Sequence, residues 1–179
     1  RPFGDELHLN SYTRSAQRFP SAVMGDDGLA TVVWASFGQD GNDAGIYLKV
    51  LISGDPSGTE ERQVNVTSRG AQTNATLAAA GDGRTIVVWT GPSDPANVYG
   101  KRAVFARVLA ADGSWLTGEL RVGEVTRGDA RTPAVAWDGK KCFVVLWAGA
   151  DEGSPLSSIA GRRLDLNGKP TGEEFAVSA

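Results

Sequence analysis

The 179-residue chain, with 41% hydrophobic and 22% charged residues, has the composition of a globular protein with one sizeable core. Its net charge of −3 argues against nucleic acid as a partner, because phosphate binding needs a basic patch. No run approaches the roughly 20 apolar residues of a membrane span, so none is predicted. The single cysteine, Cys142, excludes an intrachain disulfide, and its apolar surroundings predict a buried structural thiol.

The first twelve residues are predicted to form the outer strand of an incomplete unit. An alternating run over Glu6–Asn10 follows Gly4 and Asp5. Similar glycine-acidic pairs precede the last strand of each later unit, at Gly58, Gly118 and Gly172. We therefore expect residues 6–10 to match the fourth strand of a unit whose other strands are absent.

Three complete four-strand units follow, with boundaries predicted at residues 13–67, 68–125 and 126–179. In the first unit, an Asp-Gly pair separates two apolar runs, which is the signal of a tight hairpin. Two further strands follow a polar loop. The predicted strands of this unit are Phe19–Met24, Ala30–Trp34, Ile46–Leu51 and Arg62–Val66.

One arginine and one tryptophan recur in each of these units, and both recur with the same spacing. The arginines Arg14, Arg69 and Arg127 are 55 and 58 residues apart, and so are the tryptophans Trp34, Trp89 and Trp147. A period near 50 residues indicates a repeat architecture. A four-stranded sheet cannot bury both faces alone, so such units pack against neighbours around an axis. The sequence predicts an all-β propeller with three complete antiparallel blades and one orphan outer strand, the tryptophans filling the wedges between blades.

The units resemble the blades of bacterial secreted or cell-surface β-propellers. The resemblance is carried by Pro133-Ala-Val-Ala136, the Asp138-Gly139 turn, Val144-Val145, Gly45-Ile46 and the run from Gly172 to Val177. It implies an extracellular or cell-surface location. Because closed propellers carry about four to eight blades, it also implies further blades, from the same chain or from another.

One face of the predicted propeller gathers the repeating arginines Arg14, Arg69 and Arg127. A guanidinium matches the geometry of carboxylate and phosphate, so a ring of arginines suits an anionic glycan or a carboxylate. The alternative is structural, because residues that recur in every repeat usually serve the repeat. In that case each arginine pairs with an acid or a carbonyl group of a neighbouring blade.

Trp115 and Trp137 have no counterparts in the other units, and both fall in connections within a blade. Aromatic rings in such turns suit stacking on a sugar or a partner protein, although large rings also shield turns by partial burial. No cofactor is required by any motif. The loop oxygens of Asp40, Asn42 and Asp43 suggest calcium, with a solvated loop as the alternative.

Catalytic motifs are not found in the sequence. The single histidine, His8, lies outside the three repeats, and no Ser-His-Asp or Cys-His arrangement is present. The sequence therefore favours a non-enzymatic extracellular propeller that binds a protein or a glycan or builds an assembly. The alternative is part of a carbohydrate-active propeller enzyme, a polysaccharide hydrolase or lyase, for which two acids suffice.

Overall fold

Three four-stranded antiparallel sheets make up the protein in the computed structural model, which describes residues 6–52, 58–123, 129–150 and 157–177. The predicted all-β propeller with three four-stranded blades is confirmed. Within the described ranges there is no helix of the length and apolarity that crossing a membrane requires.

Each blade consists of four consecutive strands. The strands of blade 1 are β1 (Gln17–Met24), β2 (Ala30–Phe37), β3 (Ala44–Leu51) and β4 (Arg62–Gln63). Those of blade 2 are β5 (Thr73–Ala79), β6 (Thr85–Pro92), β7 (Arg102–Leu109) and β8 (Leu120–Arg121). Those of blade 3 are β9 (Arg131–Trp137), β10 (Cys142–Ala150), β11 (Ser157–Asp165) and β12 (Phe175–Ala176).

Asp-Gly turns connect the first and second strands of every blade. Their glycines adopt φ angles of 79° to 85°, a left-handed conformation that other residues rarely take, at Gly28, Gly83 and Gly139. The preceding aspartates close the turns: Asp27 Oδ1 accepts from the Leu29 N–H at 2.9 Å, and Asp82 Oδ1 accepts from the Arg84 N–H at 3.1 Å. These local interactions explain why the turns were readable from the sequence.

Two hydrophobic clusters lie between adjacent blades. The first joins blades 1 and 2 and includes Val33, Leu48 and Trp89. The second joins blades 2 and 3 and includes Val88 and Trp147. Trp89 is fully buried, so the repeating tryptophans at these two junctions occupy the wedges between blades. Blade 2 contributes to both clusters, whereas blades 1 and 3 each contribute to one.

Each inner strand contains a bulge near its first residues. The pairing register shifts there, and a residue other than glycine takes a positive φ angle. These residues are Phe19 (56°), Asn74 (56°) and Thr132 (44°), spaced by the same 55 and 58 residues as the repeat. Because a bulge bends a strand and redirects its side chains, all three inner strands present their first side chains in a similar way at one end of the propeller.

Residues 6–10 pair with no strand among the described residues, so the predicted outer strand Glu6–Asn10 of a further blade stays a prediction. A strand requires a hydrogen-bonded neighbour. Every third strand of the three blades already pairs on both sides, with the second and fourth strands of its own sheet. The segment instead lies against blade 1, where the Lys49 ammonium group donates to the Leu9 carbonyl at 3.4 Å.

Candidate functional site

The two ends of the propeller carry different kinds of connection. The loop face carries the connections between blades and the loops from second to third strands, and the turn face carries the tight turns within blades. In blade 1, Gln17 at the start of β1 pairs with Ser36 at the end of β2. The first residues of the inner strands therefore lie on the loop face, beside loops 38–43 and 93–101.

Arg14 and Arg69 lie where the sequence predicts them, in the connections that lead into the inner strands of blades 1 and 2. Arg14 and Arg69 are exposed, and no described acidic group lies within ion-pair distance of either guanidinium. Arg127 lies outside the described residues. The structural alternative, pairing with an acid of a neighbouring blade, is thus not seen for the two described arginines, and the arginine ring stays a prediction.

Asp129 introduces a carboxylate at the loop-face end of β9. Its Oδ1 accepts from the Arg102 backbone N–H at 2.9 Å, and its Oδ2 accepts two bonds from the Arg131 guanidinium, at 2.8 and 2.5 Å. Repeat spacing places alanine at the equivalent positions of the other blades, Ala16 and Ala71. Asp129 therefore departs from the repeat and is not required by it.

Arg102 stabilises the segment around Asp129 through hydrogen bonds to the ends of neighbouring strands. Its guanidinium donates to the carbonyl groups of Ala71 and Thr90, at 2.9 and 2.8 Å, and to the hydroxyl of Thr73 at 3.0 Å. Burial lowers the pKa of Arg102, and Asp129 partly opposes that shift. The side chain fixes the first residues of β5 against the end of β6, beneath the Asp129–Arg131 pair.

Aromatic rings are also exposed on the loop face. Phe19, in the bulge of β1, is 50% exposed, and Tyr99 in loop 93–101 is 95% exposed. Beside Phe19, the Arg18 guanidinium lies 5.6 Å from the ring centroid of Phe37. Exposed apolar side chains around polar groups are typical of ligand-binding surfaces. The left-handed conformation of Phe19 recurs at Asn74 and Thr132 and so belongs to the repeat, whereas its exposed aromatic ring has no counterpart at those two positions.

Sequence reasoning missed Asp129, Arg102 and Phe19. A signal for the first two was present, because each interrupts a column of small residues in the aligned repeats: Arg102 stands where the other blades have Ala44 and Ser157. Phe19 was assigned only to a strand. Its exposure and φ angle depend on the bulge, which no local pattern announces.

Two carboxylates surround the phenol of Tyr47 at the edge of blade 1. Burial, followed by the charges of Asp40 and Glu61, raises the pKa of Tyr47 to about 12. Glu61 is fixed by hydrogen bonds from the Ser11 N–H at 2.6 Å and from the Gln39 amide at 2.6 Å. The cluster therefore keeps Tyr47 protonated above the pH near 10 at which an ordinary tyrosine ionises.

The residues of the calcium hypothesis form a loop that is largely satisfied internally. Asp40 Oδ1 accepts from the Asn42 N–H at 3.0 Å, and Asn42 Oδ1 accepts from the Asp43 N–H at 3.2 Å. Asp40 Oδ2 accepts from Gln63 at 3.3 Å. In the part of the chain that the structure describes, no three His, Cys, Asp or Glu side chains are grouped as a metal site. Calcium binding stays a prediction.

Trp115 and Trp137 are both partly buried, which was the structural alternative. Two guanidinium groups lie over the Trp115 ring, with Arg107 at 3.9 Å and Arg62 at 5.3 Å from its centroid. Trp137 packs against Phe143 with the centroids 5.6 Å apart. Each ring shields the turn-face side of an interface between blades. A stacking role for the exposed part of each ring stays a prediction.

The thiol of Cys142 is buried, as its apolar neighbourhood predicted. It donates to Asp138 Oδ2 at 3.1 Å. Burial, followed by this hydrogen bond, raises the pKa of Cys142. The group is therefore a neutral structural thiol.

No family model matches the chain, and no curated protein matches it. Several solved structures resemble it in fold. They include an endo-arabinase from Bacteroides thetaiotaomicron (TM-score 0.57, 13% identity, 89% of this chain and 61% of that chain), an α-L-arabinofuranosidase from Lactobacillus brevis (0.59, 12%, 92% and 58%), and an α-L-arabinanase from Penicillium chrysogenum complexed with arabinobiose (0.57, 13%, 88% and 49%).

The chain thus spans between 49% and 61% of the length of these three structures. At 12–13% identity the likeness establishes the fold. The expectation of a non-enzymatic scaffold is corrected, because these three similar propellers are carbohydrate-active enzymes by name. The similarities favour the alternative drawn from the sequence.

Proposed function

We propose that this chain forms three blades of a carbohydrate-active propeller enzyme whose loop face binds a polysaccharide of the arabinan type. The similar solved structures are named as arabinan-directed enzymes. A polysaccharide substrate also fits the predicted extracellular or cell-surface location, since a polymer outside the cell is accessible only there. The proposal concerns the propeller that the three blades help to build.

The observation that carries the proposal is the Asp129–Arg131 pair at the loop-face end of β9. A carboxylate accepts hydrogen bonds from sugar hydroxyls, while a guanidinium donates to ring and glycosidic oxygens. The Arg131 side chain is 71% exposed, and its partner Asp129 is 29% exposed. The pair is therefore ordered by its own ion pair and by Arg102, and it is open to a ligand.

Glycosidic hydrolysis needs two carboxyl groups flanking the scissile bond, about 5–10 Å apart. Among the described residues at the loop-face ends of the inner strands, Asp129 is the one carboxylate. We assign Asp129 as one of these two carboxyl groups, and the second is supplied by a loop or by another blade. Phe19 supplies the apolar surface on which a sugar ring can rest.

Hydrolysis of arabinan by the full-length protein tests the proposal, with release of reducing ends as the measurement. Asp129→Asn should reduce kcat/KM at least about 100-fold, the lower limit for loss of an acid or base group. Asp26→Asn is the matched control, because Asp26 is an exposed acid on the turn face; its activity should equal that of the wild type. Melting curves establish that both variants are folded.

Absence of hydrolysis and of binding on arabinan and on a panel of other plant and bacterial polysaccharides would overturn the proposal. Full activity of Asp129→Asn would remove Asp129 from the site. An equal fall of activity in both folded variants would also remove the assigned role, because Asp26 lies on the opposite face of the propeller.

A further inference from the structure

The segment before blade 1 reproduces the contacts that outer strands make elsewhere. The Asn10 amide donates to the Tyr12 carbonyl at 2.9 Å, as the Asn65 amide donates to the Thr67 carbonyl at 3.0 Å. Asn65 follows Asn10 by 55 residues, and Thr67 follows Tyr12 by the same number, which is the repeat spacing. The end of the segment is thus folded like the end of the outer strand of blade 1.

The same correspondence holds for the contacts with the neighbouring blade. The Ser11 N–H donates to Glu61 at 2.6 Å, and the Val66 N–H donates to Glu119 at 2.8 Å. Ser11 and Val66 differ by 55 residues, and Glu61 and Glu119 by 58. Each glutamate therefore holds the chain that precedes its own blade.

A third series joins a cation on each third strand to a carbonyl group of the preceding outer strand. The donor and acceptor pairs are Lys49 to Leu9 at 3.4 Å, Arg107 to Val64 at 3.0 Å, and Arg162 to Val122 at 2.9 Å. Leu9 therefore occupies the place of Val64 and Val122. Those two residues also donate their N–H groups to the third strands of their own sheets, at Ile46 and Val104. Leu9 has no such strand beside it among the described residues.

The side of blade 1 that faces away from blade 2 is incompletely covered. Pro20 and Ala22 are exposed there, whereas their repeat equivalents in blade 2, Ala75 and Leu77, are only 7% and 6% exposed. A cavity of about 570 Å³ separates residues 6–10 from β1 and β2. In blade 2, the corresponding space is filled by blade 1.

Three polar atoms on this side of blade 1 are buried without a hydrogen-bond partner in the described structure: Gln17 Oε1, Trp34 Nε1 and Ser36 Oγ. In blade 2, the Trp89 indole donates to Gln72 Oε1 at 3.1 Å. Gly91 permits that bond, because a Cβ atom there would lie 1.9 Å from Gln72 Oε1. Ser36 takes the place of Gly91 and excludes the equivalent bond. Buried polar atoms are nearly always paired in complete structures, so this side lacks a neighbour.

We infer that blade 1 docks a further blade of the same repeat, which supplies three strands and takes residues 6–10 as its outer strand. The occupant fills the cavity and pairs with the N–H group of Leu9. This interface continues the two interfaces already present between blades 1, 2 and 3. The inference does not depend on the carbohydrate proposal.

Blade 3 of a second copy does not fit this place. Its third strand, β11, already pairs with its own outer strand, β12. Residues 6–10 would have to occupy the position of β12. The docking partner is therefore a blade that lacks an outer strand of its own.

Hydrogen exchange of the full-length protein tests the inference. The backbone amide of Leu9 should be protected to the same degree as that of Val64, its repeat equivalent. Exchange of the Leu9 amide at the rate of an unstructured peptide would overturn the inference. Protection that is lost when a dimer of identical chains dissociates would identify a second copy as the occupant, which also overturns it.

Proline substitution provides an independent measurement. Leu9→Pro removes the N–H group that should pair with the docked blade, and the melting temperature should fall by about 2–4 °C, the shift expected for one lost hydrogen bond in a domain of this size. His8→Pro is the matched control, because alternate N–H groups of an outer strand point away from its neighbour. Equal melting temperatures for the two variants would contradict strand pairing at Leu9.

Discussion

Blades 2 and 3 have nearly the same second strand but bury it to different degrees. In β6, Ile86 and Val88 are fully buried, whereas their equivalents in β10, Val144 and Leu146, are only partly buried. The local sequence is apolar in both cases. The difference arises because blade 2 has a described neighbour on each side and blade 3 has one. Burial in this fold is thus a property of the interface between blades, as expected for a repeat protein.

Trp89→Ala tests that comparison with the largest expected effect. Trp89 fills the wedge between blades 1 and 2 and is fully buried, so the substitution should lower the free energy of unfolding by about 3–5 kcal/mol. Trp137→Ala, which removes a partly buried ring outside the repeat, should cost less than half as much. Urea denaturation measures both losses of unfolding free energy. Equal losses would show that a tryptophan in the wedge between blades contributes no more than one outside the repeat.

Arg102→Met tests whether the loop-face end of the interface between blades 2 and 3 depends on one partly buried side chain. The variant leaves the carbonyl groups of Ala71 and Thr90 without their donor, and each unpaired buried group is costly. We expect a loss of about 1–3 kcal/mol by urea denaturation. Arg102→Lys keeps the charge but loses the planar fork and should recover only part of this loss. Full recovery would show that charge alone is sufficient.

Asp138→Asn compares the turn of blade 3 with the corresponding turns of blades 1 and 2. Hydrogen bonds from Cys142, the N–H first and then the thiol, and from the Lys140 N–H lower the pKa of Asp138. A lowered folded-state pKa contributes stability above the unfolded value, about 3.9, and that stability is lost as the pH falls below it. The variant should melt below the wild type at pH 7, and the gap should close in acid. Asp27→Asn, at a turn where the Leu29 N–H is the donor, should show a smaller gap. A gap that stays constant into acid would contradict this assignment.

Tyr47→Phe compares blade 1 with blade 2, which carries Phe105 at the equivalent position. The pKa of Tyr47 is raised to about 12, so its folded-state contribution is intact below about pH 10 and is lost as the pH rises toward 12. An alkaline absorbance titration should lose its highest-pH phenolate component in the variant, with little change in stability at pH 7. Loss of a component near pH 10 instead would show that Tyr47 is not shielded by burial and by its acidic neighbours.

The parts of the fold that sequence reasoning predicted are those with local causes. Asp-Gly turns, β-branched runs and the regular spacing of Trp34, Trp89 and Trp147 each carry their own physical reason within a few residues. The strands that they predicted all appear in the structure, except for residues 6–10. That segment has the right pattern and the right place, but it lacks the strand with which to pair.

The candidate site could be predicted only in part, because its residues are brought together by the register of different blades. Arg14 and Arg69 were placed on the correct face by counting. Asp129 and Arg102 are joined by a hydrogen bond between residues 27 apart in the sequence, and no local pattern predicts that contact. Phe19 is exposed by a bulge, a backbone irregularity with no distinctive local sequence in the three inner strands. Comparing equivalent columns for departures from the repeat is the approach that would have found the first two.

The unequal repeat lengths have a single structural origin, with a practical use. Twelve residues take the chain from Trp34 to Ile46 and from Trp147 to Ile159, but fifteen take it from Trp89 to Val104. The additional three residues are accommodated in the connection that ends β6 and begins β7, and the strands on either side keep their pairing. The difference in repeat length is therefore confined to a loop and does not change the core. Residues 93–101 form a natural insertion point, where new loops can be grafted beside the Asp129–Arg131 pair without changing the order of the blades.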